Sequence, residues 1–152
     1  GVDIVESYLT IANANKFEEK IRVLVKPHPS CPKEILLKRF PVLLDGRLEF
    51  TEENTSSLYE VSDVVLATGS VACIEAVALG IPLAISGKSP RVTMNPIPEG
   101  LDNNLWEVFY SHKQLTKFIK DAFKKNERVP ILNELFHPHT KEGARALFTF
   151  KD

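Results

Sequence analysis

Cysteine is scarce in this sequence: Cys31 and Cys73 are the two among 152 residues. One precedes a proline and the other lies inside an apolar helical run. That excludes a disulfide framework and a cysteine metal cluster, and it fits a reducing compartment. Net charge is nearly absent, −1 at pH 7, so nothing global draws the chain to nucleic acid or anionic lipid. No apolar run approaches membrane-span length, and no signal peptide is visible. Internal repeats and low-complexity tracts are missing, which excludes a repeat array. No acidic cluster follows the first strand, which argues against a phosphorylated receiver domain. What remains is ordinary for a globular chain. Hydrophobic residues make up 43% and charged residues 26%, and the length predicts one domain with a real core.

The most informative stretch runs from Asp63 to Ser86, DVVLATGSVACIEAVALGIPLAIS. Asp63 to Ala67 is a short β-branched apolar run, the pattern of a parallel strand covered on both faces. Thr68-Gly69-Ser70 is small and polar, so the chain can turn sharply and a hydroxyl can cap the next helix. Val71 to Leu79 reads as that helix, with Val71, Ile74 and Ala78 on one face. Gly80 sits where a left-handed cap belongs, and Pro82 bars further helix. Ile81 to Ile85 is the next strand. The whole is one βαβ unit whose strand-to-helix turn presents hydroxyls and N–H groups suited to an anion. Glu75 stands out in that apolar helix, with no Lys or Arg three or four positions away. Two readings stay open: it faces solvent, or it points along the cleft above the strand ends and accepts hydrogen bonds from sugar hydroxyls.

In chain order, Asp3 caps a first helix running to about Lys20. Ile21 to Val25 is a strand, followed at once by Lys26-Pro27-His28-Pro29. The two prolines stiffen that loop and hold His28 in an extended backbone. Lys33 to Phe40 is a short helix, Arg47 to Thr51 a strand, and Asn54 or Thr55 caps a helix through Val61. After the central unit comes a long irregular segment, Gly87 to Asn104, of a length that is often functional. Leu105 to Tyr110 is a last strand. Ser111 caps a helix to Lys125 with Leu115, Phe118, Ile119, Ala122 and Phe123 on its buried side. Trp106, Phe109 and Tyr110 read as core beside that helix, or as an aromatic wall for a base. The tail, 126–152, carries His137 and His139, either exposed or a metal pair, and closes with a short helix around Glu142 to Phe148.

This alternation predicts a three-layer α/β domain with a mainly parallel sheet, its core at about residues 20–125 of a single 1–152 unit. In such sheets ligands bind beyond the carboxyl ends of the strands. That rule gathers Lys26 to Ser30, Thr51 to Ser57, Thr68 to Val71 and Ser86 to Arg91 on one rim. Lys26 supplies a point charge there, and His28 can donate a hydrogen bond whether neutral or protonated. The Gly69-Ser70 turn adds N–H groups and a hydroxyl from the other side, and Glu75 reaches a ribose. Asn54, Thr55 and Arg91 are further candidates for nucleotide or sugar contact.

The pair KPHP (26–29) and TGSVACIEAVALGIP (68–82) resembles the C-terminal, donor-binding domain of GT-B glycosyltransferases. The second stretch is similar to a segment of the peptidoglycan-precursor N-acetylglucosaminyltransferases, in which Ser-Gly is followed by a ribose-binding Glu and then Gly-x-Pro. The His-Pro step is similar to the motif of bacterial sialyl-, polysialyl- and capsule transferases and of glycerophosphotransferases. The resemblance implies a Rossmann-like frame, one half of a GT-B fold. It places Lys26, His28, Pro29, Thr68, Gly69, Ser70 and Val71 around the donor phosphate and Glu75 on the ribose. His28 and Lys26 would then stabilise the leaving group. The Ser-Ser or Thr-Ser pair of those transferases is interrupted here by Gly69, so CMP-, CDP- and UDP-linked donors all stay open. An Asp-x-Asp motif is absent, and the implied transfer is metal-independent, without a cofactor. Its partners would be a nucleotide-sugar donor, an N-terminal GT-B domain that this chain has no room for, and a glycan or lipid-linked acceptor. Nucleic acid is not among them. A fragment of this kind is expected to bind donor without turning over alone, in the cytoplasm or at the inner face of the membrane. Two rival readings are a nucleotide-sugar 2-epimerase-like domain and a non-catalytic, flavodoxin-like interaction domain.

Overall fold

The computed structural model describes residues 22–39, 41, 48–87, 95–99, 101, 104–124 and 130. The expected helix before residue 21, Arg91, and the tail with His137 and His139 lie outside the described residues. Within them run β1 (Val23–Val25), α1 (Lys33–Arg39), β2 (Leu48–Phe50), α2 (Thr55–Val61) and β3 (Val65–Ala67). Then follow α3 (Val71–Ala78), β4 (Leu83–Ser86), β5 (Trp106–Phe109) and α4 (His112–Lys124). The chain is a mixed α/β structure, and every described strand pairing is parallel.

One expectation is corrected at once. Among the described residues there are two sheets in place of a single one, β1–β2 and β3–β4–β5. Residues of β1 and β3 line the same cavity of about 700 Å³, and no ladder joins these two strands. A cavity between two strand edges leaves no room for the direct N–H to C=O bonds that a continuous sheet requires.

The three-stranded sheet shows why its sequence reads as it does. Side chains alternate across it with period two. Leu83 and Ile85, with Val65 and Ala67, join Cys73 and Val77 of α3 in one cluster. Ala84 and Phe109, with Leu66, pack on the other face against Leu115, Phe118, Ile119 and Ala122 of α4. Both faces are covered, and a continuous apolar run results. The connection from β4 to β5 must cross over to keep the strands parallel. Ile97 and Leu101 of that segment enter the α3-side cluster, so the described part of the long irregular stretch serves as the crossover.

The helix ends follow from local chemistry. Gly80 adopts φ 71°, donates to the Val77 carbonyl at 2.9 Å, and Ile81 donates to the Ala76 carbonyl at 2.9 Å. That is a Schellman motif, completed by apolar contact between Ile81 and Ala76, and it needs the left-handed residue that glycine supplies. At α4, Ser111 Oγ accepts from the Gln114 N–H and Gln114 Oε1 accepts from the Tyr110 N–H at 2.8 Å. This reciprocal arrangement is close to a capping box.

Two face assignments are corrected. Val71 is 71% exposed, because the first turn of α3 projects past the packed cluster; its buried residues are Cys73, Ala76, Val77 and Ala78. Phe123 is 38% exposed in the last turn of α4, where it lines the cavity between the sheets.

Candidate functional site

The loop leaving β1 is built around His28. The Cys31 N–H donates to the His28 carbonyl at 2.7 Å, closing a turn with Pro29 at the position proline pre-organises. The Ser30 N–H then reaches His28 Nδ1 at 3.2 Å, and Ser30 Oγ lies 2.6 Å from the same nitrogen. A backbone N–H can only donate, so Nδ1 is an acceptor and the neutral ring carries its proton on Nε2. His28 therefore offers an N–H donor at Nε2 without being charged.

Lys26 is tied to the neighbouring strand exit. Its Nζ donates to the Glu53 carbonyl at 2.6 Å, and two N–H groups of the ammonium remain for other acceptors. The Thr51 N–H extends the β1–β2 contact by donating to the Val25 carbonyl at 3.0 Å. Asn54 is the cap of α2, its Oδ1 accepting from the Ser57 N–H at 2.8 Å. The sequence allowed Asn54 or Thr55 that role, and Asn54 fills it.

The exit of β3 is the Thr68-Gly69-Ser70 turn. Ser70 occupies the cap position of α3 with extended backbone, and the Cys73 N–H donates to its carbonyl at 3.0 Å. Its hydroxyl makes no cap bond, contrary to the expectation of a capping hydroxyl. Its backbone, φ −144° and ψ 166°, is in the extended region usual for a capping residue, so the backbone does not account for the missing bond. The hydroxyl, which makes no cap bond, stays available to a ligand.

These two turns face a common cavity. Lys26, His28 and Pro29 after β1, Thr68 and Ser70 after β3, and Thr55 of α2 all line one cavity. Much of the remaining wall is apolar, including Leu58, Val64 and Phe123. An apolar cleft of this size with a few convergent polar groups is the usual form of a small-molecule site. Gly69, Val71, Asn54 and Glu75 are not among the lining residues. Among the described residues, no three His, Cys, Asp or Glu side chains come together as a metal site.

Glu75 is exposed, so it does not project along the cleft as the sharper reading of the sequence had it. It nevertheless has a partner that sequence spacing did not reveal. Tyr59 Oη lies 3.3 Å from Glu75 Oε2 and donates to the Ala72 carbonyl at 2.7 Å. Tyr59 is 5% exposed and packs with Ala76, Ile81 and Val65. Burial first, then the nearby Glu75 charge, pushes its pKa up, so the phenol stays protonated and acts as a donor. The available signal was slight: a lone aromatic on a short helix must be its anchor, and a buried phenol needs a partner.

No family model, curated protein or solved structure matches the chain. Among the described residues, no helix is long and apolar enough to cross a membrane.

Proposed function

We propose that this chain is the nucleotide-sugar-binding half of a metal-independent glycosyltransferase, acting on CMP-, CDP- or UDP-linked donors. The observation that carries the reading is the cavity shared by the two strand exits, with an imidazole Nε2–H, an ammonium and a hydroxyl-bearing turn around it. The frame we infer is Rossmann-like, one half of a GT-B fold. Its support is the parallel pairing, the βαβ unit from Val65 to Ser86, and the placement of polar turns after β1 and β3. The acceptor in this reading is a glycan or lipid-linked hydroxyl, met in the cytoplasm or at the inner face of the membrane.

The chemistry is leaving-group stabilisation. As the bond from the anomeric carbon to the phosphate oxygen breaks, its electron pair stays on that oxygen. His28 Nε2–H, the Lys26 ammonium and the first-turn N–H groups of α3 are donors for the charge that develops there. The acceptor hydroxyl oxygen forms the new bond, and its proton passes to a base supplied by a second domain.

Titration with CMP, CDP, UDP and GDP, followed by NMR and calorimetry, tests the reading. Shifts at residues 26–30 and 68–72 are expected with the pyrimidine nucleotides. His28→Ala removes one charge-assisted hydrogen bond and should weaken binding roughly tenfold or more. No shift at millimolar nucleotide would favour an interaction domain instead.

A further inference from the structure

Taking the nucleotide-site reading as its base, we propose that Thr51 is a positioning residue that holds the Lys26 ammonium in place for the donor phosphate. Three hydrogen bonds close a ring through both residues. The Thr51 N–H donates to the Val25 carbonyl at 3.0 Å. Thr51 Oγ1 accepts from the Glu53 N–H at 3.1 Å. The Glu53 carbonyl accepts from Lys26 Nζ at 2.6 Å. Lys26 follows Val25 in the chain, so the ring returns to its start. The bond from Glu53 to the threonine hydroxyl is an ST-turn, in which a side chain bends its own backbone. It sets the residue whose carbonyl meets the ammonium.

What Lys26 then presents is a charge held at one place. Its partner in the ring is a neutral carbonyl, so the bond leaves the positive charge uncancelled. The other basic side chain that lines the cavity among the described lysines and arginines is Arg22. Glu49 engages it: Nη2 donates to Oε2 at 2.7 Å, and Nε lies 3.1 Å from both carboxylate oxygens. Lys26 is therefore the cation left for an anionic ligand, with two N–H donors unused. A lysine side chain has much rotamer freedom, and a ligand that must freeze it binds more weakly. The ring fixes the side chain before a ligand arrives. Thr51 is not among the lining residues, so it acts through Lys26.

Thr51→Val keeps the shape of the side chain and removes the hydroxyl; Thr51→Ser keeps the hydroxyl. Affinity for CDP is measured by NMR titration on the wild-type chain, on both variants, on Lys26→Met, and on Thr51→Val combined with Lys26→Met. Thr51→Val should weaken CDP by about threefold or more, the effect of ordering one freed side chain on binding. Thr51→Ser should restore it. With Lys26→Met already in place, Thr51→Val should change the affinity by less than about twofold. Equal weakening with and without Lys26 marks a merely structural threonine and overturns the proposal. Unchanged affinity in Thr51→Val overturns it too, while leaving the nucleotide site standing. A wild-type chain that does not bind CDP removes the site reading and this proposal with it. Side-chain relaxation without ligand gives a second measurement on the wild-type chain alone. Lys26 should be more ordered there than the exposed Lys113. Equal mobility of the two would overturn the proposal even where Thr51→Val does not fold.

Discussion

Gly87→Ala sets two effects of similar size against each other, and the structure decides between them. Gly87 follows β4 and donates to the Phe109 carbonyl at 2.9 Å. A Cβ added there would lie 2.7 Å from Tyr110 Cδ1 and 2.9 Å from Val108 Cγ1, where ordinary contact begins at 3.4 Å. Its φ is not positive, so alanine meets no backbone strain. Restricting the unfolded chain contributes about 0.4–1 kcal/mol in favour of alanine. Overpacking opposes this by about 1–3 kcal/mol. Tyr110 is 43% exposed and can swing outward. Val108 pairs with Ile85 in the sheet and can move only with β5. The overpacking cost therefore outweighs the entropic gain, and the net loss should be roughly 1 kcal/mol. Thermal unfolding followed by circular dichroism should show a fall of about 2–4 °C. Combining the change with Tyr110→Ala isolates the ring's share, and the pair should couple by about 0.5 kcal/mol or more. A Gly87→Ala chain as stable as its parent would refute the close-approach argument. So would strict additivity with Tyr110→Ala.

Asn54→Ala should cost about 1 kcal/mol of stability through the lost cap on α2, yet leave nucleotide affinity unchanged, since Asn54 does not line the cavity; a loss of binding without a loss of stability would reverse that assignment. Stability should fall as pH rises above about 10, where tyrosine ionises in the unfolded chain. Tyr59 keeps its proton in the fold, so the folded state binds more protons than the unfolded one and its contribution is lost with rising pH. Alkaline urea titrations should show a shallower fall for Tyr59→Phe, and identical slopes would contradict the buried-phenol account.

Most of the helix and strand layout was legible because its signals are local. Gly80 and Pro82 stop α3 by backbone geometry alone, and Ser111 with Gln114 start α4 through bonds made within one turn. The helix faces were legible to about one turn from either end. Val71 and Phe123 lie at the ends, where an apolar stripe runs on past the elements that cover it. The site turns were visible as residue types following strands. For Glu75 the sequence left two readings open, and its exposure fits the solvent-facing one. Its spacing showed no partner at helical distance, and that was correct; the partner is Tyr59, sixteen residues away on another helix. Contacts between elements leave no period in the sequence. The same holds for the gap between β1 and β3, since apolar strands predict pairing without naming the neighbour.

Residues 51–59 do more in this arrangement than join two elements. At one end, the Thr51 N–H is bonded to the Val25 carbonyl and the Glu53 carbonyl to Lys26, so the segment is fastened to the loop that carries His28. At the other end, Tyr59 is fastened to Ala72 and Glu75, on the helix that begins at Ser70. Asn54 sets the start of the helix between these anchors. With no ladder between β1 and β3, this segment is a bonded path from one cavity-lining turn to the other. Its bonds are short and mostly to backbone carbonyls, which leaves little freedom for side chains to re-pair. The spacing between the imidazole and the Ser70 turn then follows from a capped two-turn helix more than from sheet geometry. The shape of this cavity therefore depends on α2, through its cap and its two bonded ends, as much as on either sheet.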